Sequence, residues 1–242
     1  MRTHIILVNK KYLFCYLFLF AVIFFLFLSF LNILGKIIFP APAAEEKTVK
    51  MVSDNVLAQK QIALTFDDGP GSDTEEILRI LRVYQVKATF FVIGLQVEKY
   101  QELLPKIAAE GHVIGNHTLS HKDLSSLSDK HLIEQQIKEN ERLIMQATGE
   151  ARKIIRPPGG AHNALTDQVI KELGYKMVLW NIDSRDWANL NADTIVKKVK
   201  VQVKNGGVIL LHDGGGNRAA TIEALPRIIE YLRMEGYEFV TL

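Results

Sequence analysis

Two adjacent carboxylates, Asp67 and Asp68, close an apolar run in the stretch TFDDGP, and Gly69-Pro70 turns the chain behind them. Like charges held side by side repel, and giving one of the pair to a cation lets both stay ionised. That points to a metal. Farther on, HTLSH supplies two imidazoles, His117 and His121, at i and i+4, which share a face if the segment is a helical turn. One aspartate and two histidines make a three-ligand set for a divalent ion, with positions left open for water or substrate. Three further stretches set reactive groups at the ends of apolar runs. RPPGG places Arg156 before a rigid loop poor in side chains, whose backbone N–H groups can face a substrate oxygen. DSRDW carries Asp183, Asp186 and the indole of Trp187, and LLHD ends on His212 and Asp213.

Each stretch alone is weak. An Asp pair at a strand end is more often a turn or a helix cap, and an isolated HxxxH is more often surface decoration. Trp187 by itself reads equally well as a core or rim aromatic. Asp183 fits a cap on the strand-to-helix turn, and Asp213 fits a bond to the loop GGGNR that follows. The remaining histidines, His4, His112, His131 and His162, are expected to face solvent, with His162 near enough to RPPGG to reach a substrate.

The elements that must position these groups alternate in type. Short β-branched or aromatic runs (QIALTF, ATFFVIG, VIGN, KIIRP, KMVLWNID, GVILLHD, YEFVTL) are separated by stretches of helical period. Helices are predicted over 74–84, 97–110, 129–147, 165–173, 192–204 and 221–235, with Gly111, Gly149, Gly174 and Gly236 as stop signals. Apolar runs joined by helices favour a parallel α/β sheet, either doubly wound or closed into a barrel. No GxGxxG or P-loop opens the first unit, which argues against nucleotide binding. About 180 residues is short of the ~250 of a full (β/α)₈ barrel, so a barrel here is shortened or distorted. In both architectures the C-terminal strand ends, where the polar motifs fall, form the active face.

As an ordered set, TFDDG, HTLSH, RPPGG, DSRDW and LLHD resemble the five motifs of the polysaccharide deacetylases (the NodB homology domain), which include chitooligosaccharide and peptidoglycan deacetylases. The resemblance covers residues 60–242. It implies a distorted, TIM-like (β/α) barrel of about seven parallel strands and a metal-dependent hydrolysis of N-acetyl groups on amino sugars. Carried over by position, it implies Asp68, His117 and His121 as metal ligands, Asp67 as general base, and Arg156 as the partner of Asp67. It also implies His212 as general acid oriented by Asp186, a Gly159 N–H for the oxyanion, and Trp187 with Leu210 as walls of the acetyl pocket. Zinc is the first expectation, and cobalt, nickel or manganese suit the same ligands. The sequence departs from the family at Gly159, where many members carry tyrosine, so a substrate-facing ring is lost. The expected substrate is peptidoglycan or a chitin-like oligosaccharide. Hydrolysis of O-acetyl esters or other amides, and a catalytically silent glycan-binding module, are the competing readings.

The first quarter of the chain differs from the rest. No charged residue occurs from Tyr12 to Gly35, a run longer than the ~20 apolar residues that cross a bilayer. Arg2, Lys10 and Lys11 precede it and only Lys36 follows closely, which predicts a cytoplasmic tip (1–11), a transmembrane helix (12–35) and an extracytoplasmic remainder. Residues 36–59 read as a tether, or as a partial first strand near Val49–Val52. Small residues at Ala41–Ala44 allow a cleaved signal and a secreted product. The apolar run nevertheless exceeds the ~7–15 residues of a signal h-region, which favours an uncleaved anchor. Cys15 is the lone cysteine and lies in the apolar run, so the domain has neither a disulfide nor a thiol nucleophile. A net charge of +2 without a long basic run outside the tip gives no reason to expect nucleic acid. Oligomeric state is left open.

Overall fold

The computed structural model describes residues 59–242. The expected tip and membrane segment lie outside them, as does the tether except for its last residue. Among the described residues no helix is long and apolar enough to cross a membrane.

Among the described residues eight parallel strands alternate with helices: β1 (Lys60–Asp67), α1 (Thr74–Val83), β2 (Thr89–Val92), α2 (Gly94–Lys99), α3 (Leu103–Ala109), β3 (Val113–Asn116), α4 (Lys130–Thr148), β4 (Ile154–Ile155), α5 (Ala164–Glu172), β5 (Lys176–Met177), β6 (Ile182–Asp183), α6 (Ala192–Gln202), β7 (Gly207–His212), α7 (Ala219–Met234) and β8 (Tyr237–Phe239). The hydrogen-bonded order is β5-β4-β3-β2-β1-β7-β6, with β8 also on β1. Laid flat, the two ends of that seven-strand path would be ~29 Å apart, six spacings of ~4.8 Å. Only residues 178–181 separate β5 from β6, and five chain steps reach at most ~18 Å. The sheet must therefore curl, as the expected barrel requires, and its seam is the link between β5 and β6.

Three sequence expectations change. KMVLWNID is not one strand. Its first residues pair with β4 and its last with β7, so it breaks to serve both sides of the seam. The helix expected over 97–110 is two, α2 and α3, because Pro105 has no N–H and its ring would strike the carbonyl of residue 101 in a continuous helix. HTLSH is a loop rather than a helical turn, and Thr118 and His121 within it take positive φ values of 69° and 58°. The stop signals hold: Gly111, Gly149, Gly174 and Gly236 adopt left-handed φ of 74–79° just past their helices.

β1 lies at the centre of the sheet. Ile62, Leu64 and Phe66 point to one face, where they join the main core beneath α1, α6 and α7, and Phe66 stacks on Phe90 with centroids 5.1 Å apart. The alternate residues Ala63, Thr65 and Asp67 point the other way, into the barrel. A smaller core of Leu124, Ile133, Ile137, Ile155, Val169 and Tyr175 packs α4 and α5 against β4.

Candidate active site

The strand register brings the reactive residues level. Asp67 is the Cα partner of His212 across β1 and β7 and of Phe91 across β1 and β2, and Asn116 ends β3 beside Ile155. Each polar side chain therefore emerges at the same, C-terminal, end of the sheet.

Arg156 is fully buried inside the barrel. Its Nη1 donates to Asp67 Oδ1 at 2.7 Å and to Thr65 Oγ1 at 2.8 Å, two residues that share a face of β1. Its Nε and Nη2 donate to the carbonyls of Val178 and Leu179, at 3.1 and 3.2 Å, in the seam where strand pairing lapses. The guanidinium plane lies over the Phe91 ring, 4.2 Å from its centroid. One cation thus fixes the Asp67 carboxylate and satisfies two carbonyls that the broken strand leaves without a ladder.

The carbonyl of Arg156 has a separate task. It lies 2.6 Å from His117 Nδ1, and a carbonyl only accepts, so Nδ1 carries the proton and Nε2 presents a lone pair. That Nε2 is 3.3 Å from Asp68 Oδ1, and His121 Nε2 is 3.1 Å from the same oxygen. The ligand-type atoms of Asp68, His117 and His121 lie within 4.8 Å of one another. Asp68 Oδ1 is buried and has no hydrogen-bond partner among the described residues. A buried carboxylate oxygen without a donor, facing two imidazole nitrogens, is a donor set that suits a divalent cation.

Across the cleft, Asp186 accepts four hydrogen bonds. Oδ1 receives His212 Nδ1 at 2.7 Å and Ser184 Oγ at 3.2 Å, and Oδ2 receives the His212 backbone N–H and Thr221 Oγ1, both at 2.9 Å. Burial opposes protonation of His212. The bond to Asp186 and its charge, aided by Asp67 and Asp68, outweigh it and raise the imidazole above its ordinary value. The cleft between these groups has a volume of about 310 Å³, and Gly159, Leu210, Trp180 and Trp187 contribute to its walls. Gly159 has φ 60°, and a Cβ added there would meet nothing within 4 Å, so the place of the family tyrosine is open space. Trp187 is 48% exposed, which puts it on the rim, whereas Leu210 is buried.

Several residues behave differently from the sequence reading. Asp213 does not bond to the GGGNR loop. It is buried and its Oδ2 accepts from Thr74 Oγ1 at 2.5 Å, while burial first and the charges of Asp68 and Asp67 next push its carboxyl up to about 7 against the Thr74 bond. A Cβ on Gly69 would fall 2.1 Å from that Oδ2, which explains the glycine after the Asp pair. His112 is buried rather than solvent-facing, because its Nδ1 accepts the Ala88 N–H at 3.1 Å and its ring meets Phe90 edge-on. His131 and His162 are exposed as expected, and His162 bonds to Asp167 at 2.8 Å. Asp183 does cap, accepting from the Arg185 N–H at 2.8 Å, and it also lines the cleft. Trp180 was hidden by reading KMVLWNID as one strand. Only the seam turns its indole toward the cleft.

A parallel α/β barrel that gathers an arginine-held carboxylate, an Asp-His-His cluster and a carboxylate-backed imidazole at its strand ends has the make-up of a barrel hydrolase. The chain belongs to the polysaccharide deacetylase family, whose profile matches residues 54–178, and it is a hydrolase of carbon–nitrogen bonds. It is 42% identical over 187 residues to a peptidoglycan-N-acetylglucosamine deacetylase of Bacillus cereus, covering 76% of this chain and 87% of that protein. It is 39% identical over 185 residues to the peptidoglycan-N-acetylmuramic acid deacetylase PdaC of Bacillus subtilis, covering 76% of this chain but only 38% of that longer protein. A solved peptidoglycan N-acetylglucosamine deacetylase, in complex with 4-naphthalen-1-yl-N-oxidanyl-benzamide, superposes with a TM-score of 0.73 at 40% identity, covering 75% of this chain and 86% of that one.

Proposed function

We propose that this chain removes acetyl groups from N-acetylated amino sugars of peptidoglycan, acting outside the membrane from an N-terminal anchor at residues 12–35. The observation that carries the reading is the meeting of three units in one cleft: Asp67 on Arg156, Asp68 with His117 and His121, and His212 on Asp186. The named activities of the relatives support the substrate, and the uncharged run of residues 12–35 supports the location.

Asp68, His117 and His121 would hold a divalent ion, zinc first among the candidates, which when bound polarises the acetyl carbonyl and acidifies water. Arg156 occupies Asp67 Oδ1 and leaves Oδ2, 3.9 Å from His117 Nε2, toward the cleft. Asp67 Oδ2 takes a proton from the attacking water as its oxygen bonds to the acetyl carbon. Asp186 holds the proton on His212 Nδ1 and favours the doubly protonated ring, so Nε2–H is available to the departing nitrogen. As the C–N bond breaks, that proton passes to the amine and acetate is left. The Gly159 N–H and the pocket formed by Trp187 and Leu210 take the carbonyl oxygen and the acetyl methyl. The test is acetate release from purified peptidoglycan by the full chain, with and without chelator. Release that stops with chelator and returns with added metal is expected. No release from any amino-sugar polymer would refute the reading.

A further inference from the structure

The loop that carries the two histidines is tied to β2, β3 and α2, and α4 supplies the acceptors for its middle. Its backbone cannot hold itself: Thr118 and His121 both take left-handed φ, a conformation that a β-branched residue such as Thr118 rarely adopts. Four consecutive N–H groups are nevertheless satisfied. His117 N donates to the Val92 carbonyl at 2.9 Å and Thr118 N to Asn116 Oδ1 at 2.8 Å. Leu119 N donates to the Gln136 carbonyl at 2.8 Å, and Ser120 N to Gln136 Oε1 at 3.1 Å.

Asn140, one turn beyond Gln136, ties these acceptors together. Its Nδ2 donates to the Val92 carbonyl at 2.7 Å and to Asn116 Oδ1 at 3.0 Å, the two atoms that receive His117 N and Thr118 N. Asn116 Nδ2 in turn donates to the Ile137 carbonyl at 2.9 Å. Asn140 is fully buried and interrupts the apolar stripe of Ile133, Ile137 and Ile144 on α4. An amide in a buried stripe costs stability, and here both donor bonds go to the base of the histidine loop, while Oδ1 finds no partner among the described residues.

We infer that Gln136 and Asn140 are positioning residues for the metal centre. They hold the 117–121 loop in its left-handed shape and so aim both imidazoles at Asp68. The inference rests on the reading of Asp68, His117 and His121 as ligands, and goes beyond it in assigning the cost of that geometry to α4.

The test is titration of metal-free full-length protein with Co²⁺, followed by visible absorption, for wild type, Asn140→Leu and Gln136→Ala. Asn140→Leu keeps the branched shape and removes both donors, while Gln136→Ala alters a half-buried side chain and keeps the carbonyl bond. Groups that orient metal ligands are worth 10–100-fold in affinity. Asn140→Leu should bind about tenfold more weakly, with a weakened and broadened cobalt band, and Gln136→Ala about threefold more weakly. Far-ultraviolet circular dichroism should match wild type for Gln136→Ala, so its result stands even if Asn140→Leu does not fold. Folded variants with wild-type affinity and band shape would overturn the clamp while leaving the ligand assignment intact. Wild-type protein that bound no cobalt would overturn both.

Discussion

Replacing Asp186 by Asn changes one atom and should disable His212 in a way the hydrogen bonds specify. Oδ2 of Asp186 accepts from the His212 backbone N–H, which cannot turn away, and from Thr221 Oγ1. An amide NH₂ in that place would set donor against donor. The asparagine therefore keeps oxygen there and points its NH₂ at His212 Nδ1. Nδ1 must then accept, the ring proton moves to Nε2, and the imidazole is neutral rather than doubly protonated. A hydrogen bond to a charged group is worth ~1.5–3 kcal/mol, which corresponds to a loss of roughly 10- to 150-fold in kcat. The pH profile carries the sign. Asp186 raises the His212 pKa, and the working acid is the protonated form, so removing that support should move the alkaline limb of kcat to lower pH. The assay is acetate release from a soluble N-acetylglucosamine oligomer with saturating metal, across the alkaline range, with KM expected to stay within about twofold. Wild-type turnover with an unmoved alkaline limb would refute the assignment of His212 as the acid.

Asp67→Asn should abolish turnover by about 10²–10⁴-fold while elemental analysis finds metal unchanged; because Arg156 loses its buried anionic partner, denaturant unfolding should also show a loss of ~3 kcal/mol. Gly159→Tyr should keep kcat, since the backbone donor remains, and lower KM for oligosaccharides by filling open space, at a stability cost of ~1 kcal/mol for a side chain at φ 60°. His112, lowered from 6.5 to about 4 mainly by burial and then by Lys87, binds its proton more readily unfolded than folded, so its effect is a loss of stability as pH falls from 6.5 toward 4. His112→Asn, which keeps an acceptor for Ala88 N–H, should flatten that part of the stability curve by ~1–2 kcal/mol, measured by urea unfolding of both proteins at matched pH.

What the sequence made legible was chemistry at strand ends. Period and length locate β1, β3 and β7, and a reactive side chain at the end of each follows from the strand itself. The pairing of Arg156 with Asp67 follows from the family resemblance, because charge does not choose among the acids at the strand ends. What stayed hidden depends on pairs far apart in the chain. Thr74 belongs to Asp213, and the apolar pattern says nothing of it. The seam splits KMVLWNID because the sheet curls, and curling is a property of the whole sheet, so Trp180 had no local signal. His112 reads as solvent-facing because its acceptor role depends on Ala88, across the sheet. One faint mark was present in α4: an asparagine at position 140 in the apolar stripe, which a helical plot shows and a list of reactive residues passes over.

The central place of β1 also sets the order in which the molecule can come into being. Of the eight described strands, β1 is synthesised first, yet two of its three neighbours, β7 and β8, are synthesised last. Until then it has only β2, over the pairs Thr65–Thr89 to Asp67–Phe91. Contacts this distant in sequence are slow to form, and a strand edge left unpaired is open to other chains. Asp67 and Asp68 therefore wait on the same open edge for His212 to arrive. A chain interrupted before Gly207 has most of the described helices but lacks His212, and the cleft is complete only once β7 has docked.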